Sequence, residues 1–268
     1  VVVVYNGANA MELGWVKDYS QIKSVVWCAG TGQSGFNALG SILCGDVNPS
    51  GRTIDTFVYD LTQTPTANNF GNFNYTNMDE FKANSFGADT IPAFVNYVEG
   101  IYVGYKFYET AAAEGLIDYD KTVVYPFGRG LSYTTFTQTL NSVTEADGTI
   151  TVDVTVTNTG SASGKEVVEV YYNPPYTNGG IEKASANLIG FAKTSELAPG
   201  ASENVTVTFK AEDMASYDTY GKGCYVLEKG DYVISINADS HTVLDSKTYT
   251  VASDIVYDAS NKRESDVE

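Results

Sequence analysis

The sequence predicts an α/β portion followed by an all-β sandwich, and three observations carry that expectation. Two continuous apolar runs, residues 1–5 (VVVVY) and 24–29 (SVVWCA), flank a short crossover, the pattern of parallel strands covered on both faces. The second run passes through a glycine-spaced turn into Phe36, Leu39, Ile42 and Leu43 at helical spacing, which reads as strand, turn and helix. From residue 136 onward apolar residues alternate with polar ones in short runs separated by turn signals, the signature of half-buried strands.

Residues 11–20 carry Glu12, Leu13, Trp15, Val16 and Tyr19, a crossover that completes a βαβ unit. The helix after the turn stops at Gly45-Asp46, and Asn48-Pro49-Ser50-Gly51 forbids its continuation, because proline lacks the donor and restricts its predecessor. Residues 60–89 hold many Asn, Thr and Phe without sustained periodicity; so long a loop serves function, lies across another domain or is a passive excursion. Residues 95–110 (VNYVEGIYVGYKFYET) alternate like a strand, with a helical stretch expected over 110–115. The glycines and proline between residues 123 and 136 punctuate two bodies, so the α/β portion is expected at 1–136.

Beyond it, residues 149–157, 166–172, 187–193, 203–209 and 231–237 share the two-residue period. About seven short strands in such a stretch predict an immunoglobulin-like or fibronectin type III-like sandwich at 137–251. Cys224 alone cannot form the inter-sheet bridge of antibody domains, which makes fibronectin type III the better likeness. Residues 252–268 are polar and charged, and read as a linker or a disordered end.

Two strands make a poor domain and a domain rarely opens on a core strand, so the chain is expected to be part of a larger protein. A net charge of -17 over 268 residues argues against nucleic acid and anionic membrane surfaces, whereas an uncharged sugar is compatible. No run of 18 or more apolar residues could span a bilayer. Cys28, Cys44 and Cys224 are odd in number and lack metal-ligand spacing, so buried thiols are expected, with no metal and no cofactor. Compartment stays open between bacterial cytoplasm and secretion, and a homo-oligomer is compatible with this composition.

The turn Gly30-Thr31-Gly32-Gln33-Ser34-Gly35 spells G-x-G-x-x-G. A dinucleotide site also needs a second strand delivering an acidic residue about 20 residues on. Here the helix meets a proline turn, and the glycines serve a sharp strand-to-helix turn instead. Ligands in open α/β sheets bind outside the carboxyl ends of strands, which makes Thr31, Gln33 and Ser34 candidates for touching one; hydrogen bonds that merely fix the turn are the alternative. His241 is the only histidine, and neither a Ser-His-Asp relay nor a metal site is spelled around it. Two sequons, Asn74-Tyr75-Thr76 and Asn204-Val205-Thr206, stand by spelling only.

Three motifs carry a resemblance. Gly45-Asp46-Val47-Asn48-Pro49-Ser50-Gly51-Arg52, residues 97–108 (YVEGIYVGYKFY) and residues 125–136 (YPFGRGLSYTTF) resemble, in order, the G-D-x-N-P-S-G-[RK], Y-x-E-G-I-x-V-G-Y-R-Y-Y and F-P-F-G-[YH]-G-L-S-Y-T-x-F segments of glycoside hydrolase family 3. Val156-Thr157-Asn158-Thr159-Gly160, Leu188-Ile189-Gly190-Phe191 and Leu197-Ala198-Pro199-Gly200 are similar to landmarks of its fibronectin-like domain. The resemblance implies the latter part of the family's α/β sandwich domain joined to its fibronectin type III-like domain. It also implies β-glucosidase-like retaining hydrolysis, with a (β/α)8 barrel as partner and carbohydrate as substrate. Retaining chemistry needs two carboxyl groups about 5 Å apart.

In the family the nucleophile comes from a Ser-Asp-Trp segment. Here Ser253-Asp254 precedes Ile255 and Ser265-Asp266 precedes Val267. Glu99-Gly100 lacks the usual neighbours of the acid/base glutamate, so no catalytic residue is expected within this chain. Glu99 is a candidate for lining the barrel interface or for capping a buried donor. Arg129, where an aromatic residue or histidine is usual, is a candidate for reaching a cleft or for surface packing. The tail resembles the linker of a permuted branch in which the barrel follows. A non-catalytic carbohydrate-binding or adhesion module is the alternative.

Overall fold

The computed structural model describes the chain except residues 70–72, 75, 78–82, 86–87, 91–93 and 267–268. Much of the long 60–89 loop, Tyr75 of the first sequon and Val267 of the second Ser-Asp segment therefore lie wholly or partly outside the described residues. In the first half, β1 (Val2–Tyr5) pairs in parallel with β2 (Ser24–Trp27), Val2 opposite Ser24. A five-residue 3-10 turn, Gly14–Asp18, makes the crossover. Helix α1 (Phe36–Cys44) follows, then β3 (Phe57–Val58), a hairpin of β4 (Ala83–Ser85) and β5 (Ala88–Thr90), α2 (Tyr105–Ala113), α3 (Tyr119–Thr122) and β6 (Val123–Tyr125), which returns to pair with β3.

The second half has β7 (Phe136–Ala146), β8 (Thr149–Asn158), β9 (Val167–Asn173), β10 (Asn187–Lys193), β11 (Ser202–Lys210), β12 (Ser216–Tyr217), β13 (Tyr225–Leu227), β14 (Gly230–Asn237), β15 (Val243–Val251) and β16 (Ile255–Tyr257). They form a four-stranded sheet in the order β10-β9-β14-β15, a three-stranded sheet β11-β8-β7 and a small sheet β12-β13-β16. On β8 every second residue, Ile150, Val152, Val154 and Val156, is fully buried. These meet Val168, Val170, Ile234 and Ile236 from the facing sheet in one core. Period-two alternation thus puts one face inside, and burial of each such side chain contributes about 1.5–3 kcal/mol.

Several expectations are corrected. Residues 95–110 are no strand: Gly100 and Gly104 take left-handed φ of 56° and 61°, and from Tyr105 the chain is helical. Tyr108 and Glu109 with Ala111 are the buried residues of α2, so alternating aromatics concealed a helix that begins at a glycine. The β1–β2 pair is not covered on both faces within these residues; Val1, Val2 and Val4 are 73%, 43% and 40% exposed. Helix α1 likewise buries no residue. The expected buried thiols are not found: Cys44, in the last turn of α1, is exposed, and Cys28 and Cys224 are half-buried free thiols.

The stretch after residue 252 also departs from a disordered end. Its strand β16 pairs with β13, the Arg263 guanidinium lies 3.4 Å from the Tyr225 ring centre, and Asp266 accepts two hydrogen bonds from Arg263 at 2.8 and 2.7 Å. A polar composition hid these contacts, each of which uses charged or aromatic groups.

The halves meet in a polar seam built from the motif residues. Asn48 donates to the Ser163 carbonyl at 2.9 Å and accepts from the Ser132 hydroxyl and the Tyr133 N–H at 2.9 and 2.8 Å. Lys193 donates to Ser50. Arg52 pairs with Glu166 at 2.6 Å, both side chains largely buried, while Gln138 donates to the same carboxylate. Burial pushes the Glu166 carboxyl up, against the pull of Arg52. Gly128 has a φ of 83°, and a Cβ there would overlap the Glu169 carboxylate, so this glycine is required twice over. Burial raises Glu169 to about 7, although the Tyr171 hydroxyl donates to it.

Three outcomes are expected in denaturant unfolding of the chain. Ile236→Ala costs about 2–5 kcal/mol through the cavity it leaves. Arg52→Met strands the buried Glu166 and costs about 3–5 kcal/mol. Glu169 has a folded-state pKa above its unfolded one, so its contribution is full below about 4.5 and lost as pH rises through about 7. Glu169→Gln therefore flattens the fall in stability between acidic and mildly alkaline pH; an unchanged slope would sink this assignment.

Candidate functional site

The carboxyl ends of β1 and β2 lie side by side, and the chain leaves them through two short segments. Behind the strand ends the backbone is locked. Asn6 donates to the Cys28 carbonyl at 2.6 Å, and the Trp27 indole donates to the Gly7 carbonyl at 2.7 Å. The turn that follows uses its glycines for conformation: Gly30 and Gly32 have φ of 61° and 63°, in open space where no neighbour would obstruct a Cβ. Gly35 is different, since a Cβ there would overlap the Thr31 carbonyl oxygen, which accepts the Gly35 N–H at 3.1 Å.

Backbone bonds thus fix the turn, and the side chains between the glycines are left over. Thr31 is half-buried, Gln33 and Ser34 are exposed, and none of these three side chains makes a hydrogen bond among the described residues. That combination, a rigid backbone presenting unengaged hydroxyl and amide groups at a strand end, suits contact with a polar ligand. It does not by itself supply acid or base.

The other candidates sit elsewhere. Glu99 accepts a short hydrogen bond from the Asn69 amide, and Asn69, itself buried, accepts the Val98 N–H at 3.2 Å. Its carboxylate is therefore engaged in holding the 95–104 segment. Arg129 is exposed. Its backbone is tied to Thr53 in both directions, at 3.0 and 2.8 Å, and its guanidinium lies 5.8 Å from the Tyr125 ring centre. An edge-to-face aromatic chain, Tyr125 to Phe57 to Trp27, leads from there to β2. No contact among the described residues brings Glu99, Arg129 and the glycine turn together.

The structure adds a cluster that spacing could not reveal. Glu109 on α2 is 8% exposed. It accepts from the Tyr119 hydroxyl at 2.7 Å and the Ser240 hydroxyl at 2.9 Å, and its other oxygen lies 2.8 Å from His241 Nδ1. The imidazole stacks on the Tyr119 ring, centres 3.6 Å apart. Ser240 thus bonds to the carboxylate rather than to the imidazole, and a Ser-His-Asp relay is absent from this geometry. Ser240 and His241 lie more than 120 residues from Glu109 and Tyr119, so no local spacing announces the cluster. Burial and the Glu109 charge push the Tyr119 hydroxyl far above its ordinary range.

Comparison with known proteins follows the two halves. Residues 1–105 match the glycosyl hydrolase family 3 C-terminal domain, and residues 166–240 match a fibronectin type III-like domain. Beta-glucosidase A of Butyrivibrio fibrisolvens is 36% identical over 98% of this chain and 31% of its own length. The beta-glucosidase of Ruminococcus albus is 32% identical over 94% of this chain and 24% of its own. The chain thus spans about a third or less of these curated relatives. Among solved structures, beta-glucosidase 3B of Thermotoga neapolitana, in complex with alpha-D-glucose, superposes with a TM-score of 0.77 at 31% identity, covering 96% of this chain and 32% of that one. The Kluyveromyces marxianus beta-glucosidase, in complex with glucose, gives 0.77 at 28% identity over 96% of this chain and 27% of that one. Two family matches in the order of the two structural halves, with relatives aligned across nearly all of it, place this chain in glycoside hydrolase family 3, as the latter part of its α/β domain joined to its fibronectin type III-like domain.

Proposed function

We propose that this chain is the non-catalytic portion of a retaining β-glucosidase-type hydrolase that cleaves terminal β-linked sugars. The division is 1–136 for the α/β portion and 137–251 for the sandwich, with 252–268 as a linker or tail. In this reading the nucleophile and the acid/base both lie outside the chain, the nucleophile on a (β/α)8 barrel and the acid/base on another part of the α/β domain. The observation that carries it is the state of the well-buried glutamates. Glu109, Glu166 and Glu169 are bound to Tyr119, Arg52 and Tyr171 within the fold, and Glu99 is held by Asn69. Each of the four is engaged by a partner in the fold, whereas retention needs two carboxyl groups about 5 Å apart that are free to act on substrate.

The chain then contributes shape. Thr31, Gln33 and Ser34 offer hydrogen bonds to sugar hydroxyls at the strand ends, Glu99 steadies the neighbouring segment, and Arg129 borders the same half through Tyr125. Phe36, Leu43, Val47 and Ile54 are exposed around α1 and the motif that follows it, an apolar surface of the kind that a companion domain covers.

The test is an aryl β-glucoside assay on the 268-residue chain and on the longer protein that contains it with a barrel. The chain alone is expected to show no turnover above buffer, and the longer protein to release product with the β-configuration retained. Gln33→Ala in the longer protein is expected to raise KM several-fold with kcat nearly kept, the mark of lost uniform binding. Turnover by the isolated chain overturns the proposal.

A further inference from the structure

The outer face of the four-stranded sheet is not a bare solvent face. Helix α2 lies over it, and between helix and sheet runs a groove of about 530 Å³, within the size range of small-molecule sites. Its floor is set by strand register. Ser235 and Asn237 stand two residues apart on β14 and so share a face, and Ser246 on β15 is the direct partner of Ser235. Ser235 is 6% and Asn237 3% exposed.

Ser235 and Asn237 are buried and Ser246 is exposed at the groove's edge, and all three are unspent. Asn237 Oδ1 has no hydrogen-bond partner among the described residues, and the hydroxyls of Ser235 and Ser246 make none there either. A buried polar atom left unpaired is costly, and Asn237 Oδ1, beside two unengaged hydroxyls in one groove, marks a place where a ligand or water is expected to pair it. The wall charge is already satisfied, because Glu109 is engaged by Tyr119, Ser240 and His241. Hydroxyl and amide groups are what remain, with Val233, Val243 and Ala112 giving apolar contact. No ion is called for; a neutral molecule bearing many hydroxyls on a carbon frame is.

We propose that the groove between α2 and the outer face of β14 and β15 binds a neutral saccharide, with Ser235, Asn237 and Ser246 as its hydrogen-bonding floor. The site lies apart from the strand-end turn and stands whether or not that turn touches substrate. Because α2 belongs to the first half and the floor to the second, an occupied groove ties the halves together and stabilises them by mass action.

The experiment is titration of the 268-residue chain with D-glucose and with cellobiose, read by amide NMR shifts and by thermal unfolding. Saturable shifts are expected on α2, β14 and β15, with a rise in Tm. The double variant Ser235→Ala, Asn237→Leu is expected to weaken binding about tenfold or more. Ala113→Trp, which fills the groove from the exposed helix side, does the same without touching the floor. Gln33→Ala leaves this binding unchanged. Absence of saturation with either sugar, as for a groove that holds only water, overturns the proposal. So does binding lost in Gln33→Ala and kept in the groove variants. Hydrolysis by the longer protein is indifferent to either result, so the two proposals fail separately.

Discussion

The arrangement of this chain depends on a charge taken out of water. Arg52 and Glu166 lie 114 residues apart and pair inside the seam between an α/β portion and a β-sandwich. Desolvating two ions is expensive, and their attraction offsets the cost only when geometry and neighbouring hydrogen bonds are right. Gln138 on β7 donates to the same Glu166 oxygen as Arg52, and Asn48 holds the adjoining turn by three bonds. Such a contact adds little net stability compared with an apolar patch but tolerates few alternative orientations. The seam therefore favours one docking of the halves over the many that greasy surfaces alone would permit.

This explains why the most recognisable residues of the sequence are not chemical ones. The stretch from Gly45 to Arg52 and the stretch from Tyr125 to Phe136 are spent on each other and on the sandwich. Tyr133 reaches the carbonyl of Ile42 at 2.7 Å, Phe127 stacks on Tyr105 with centres 4.8 Å apart, and Thr134 bonds to the buried Asn158 at 2.7 Å. They set where the strand ends stand relative to the second body, which is a positioning role exerted over distance.

Legibility followed the range of the interaction. Alternation on β8 and β14 is written locally, because a side chain's face depends only on its own register, and those strands were readable to within a residue or two. The helix α2 was not, since Val, Tyr and Phe at 95–108 suit a pleated surface and only Gly104 and the packing of Tyr108 decide otherwise. The glycine turn was legible as a turn, and its φ values supply the reason. The Glu109 cluster and the docking of Arg263 on Tyr225 were invisible, because their partners come from remote parts of the chain and from residues that composition classes as solvent-facing.

Gly30 and Gly32 flank Thr31 in a bend where a Cβ at either glycine would meet no neighbour, and the bend is held by a main-chain hydrogen bond from Gly35 to Thr31. The identities of Thr31, Gln33 and Ser34 are consequently free to drift without disturbing the scaffold beneath them. A lineage could retune what this rim prefers at almost no thermodynamic penalty, so diversity among descendants should concentrate there while the mortar at Asn48 and Arg52 stays fixed.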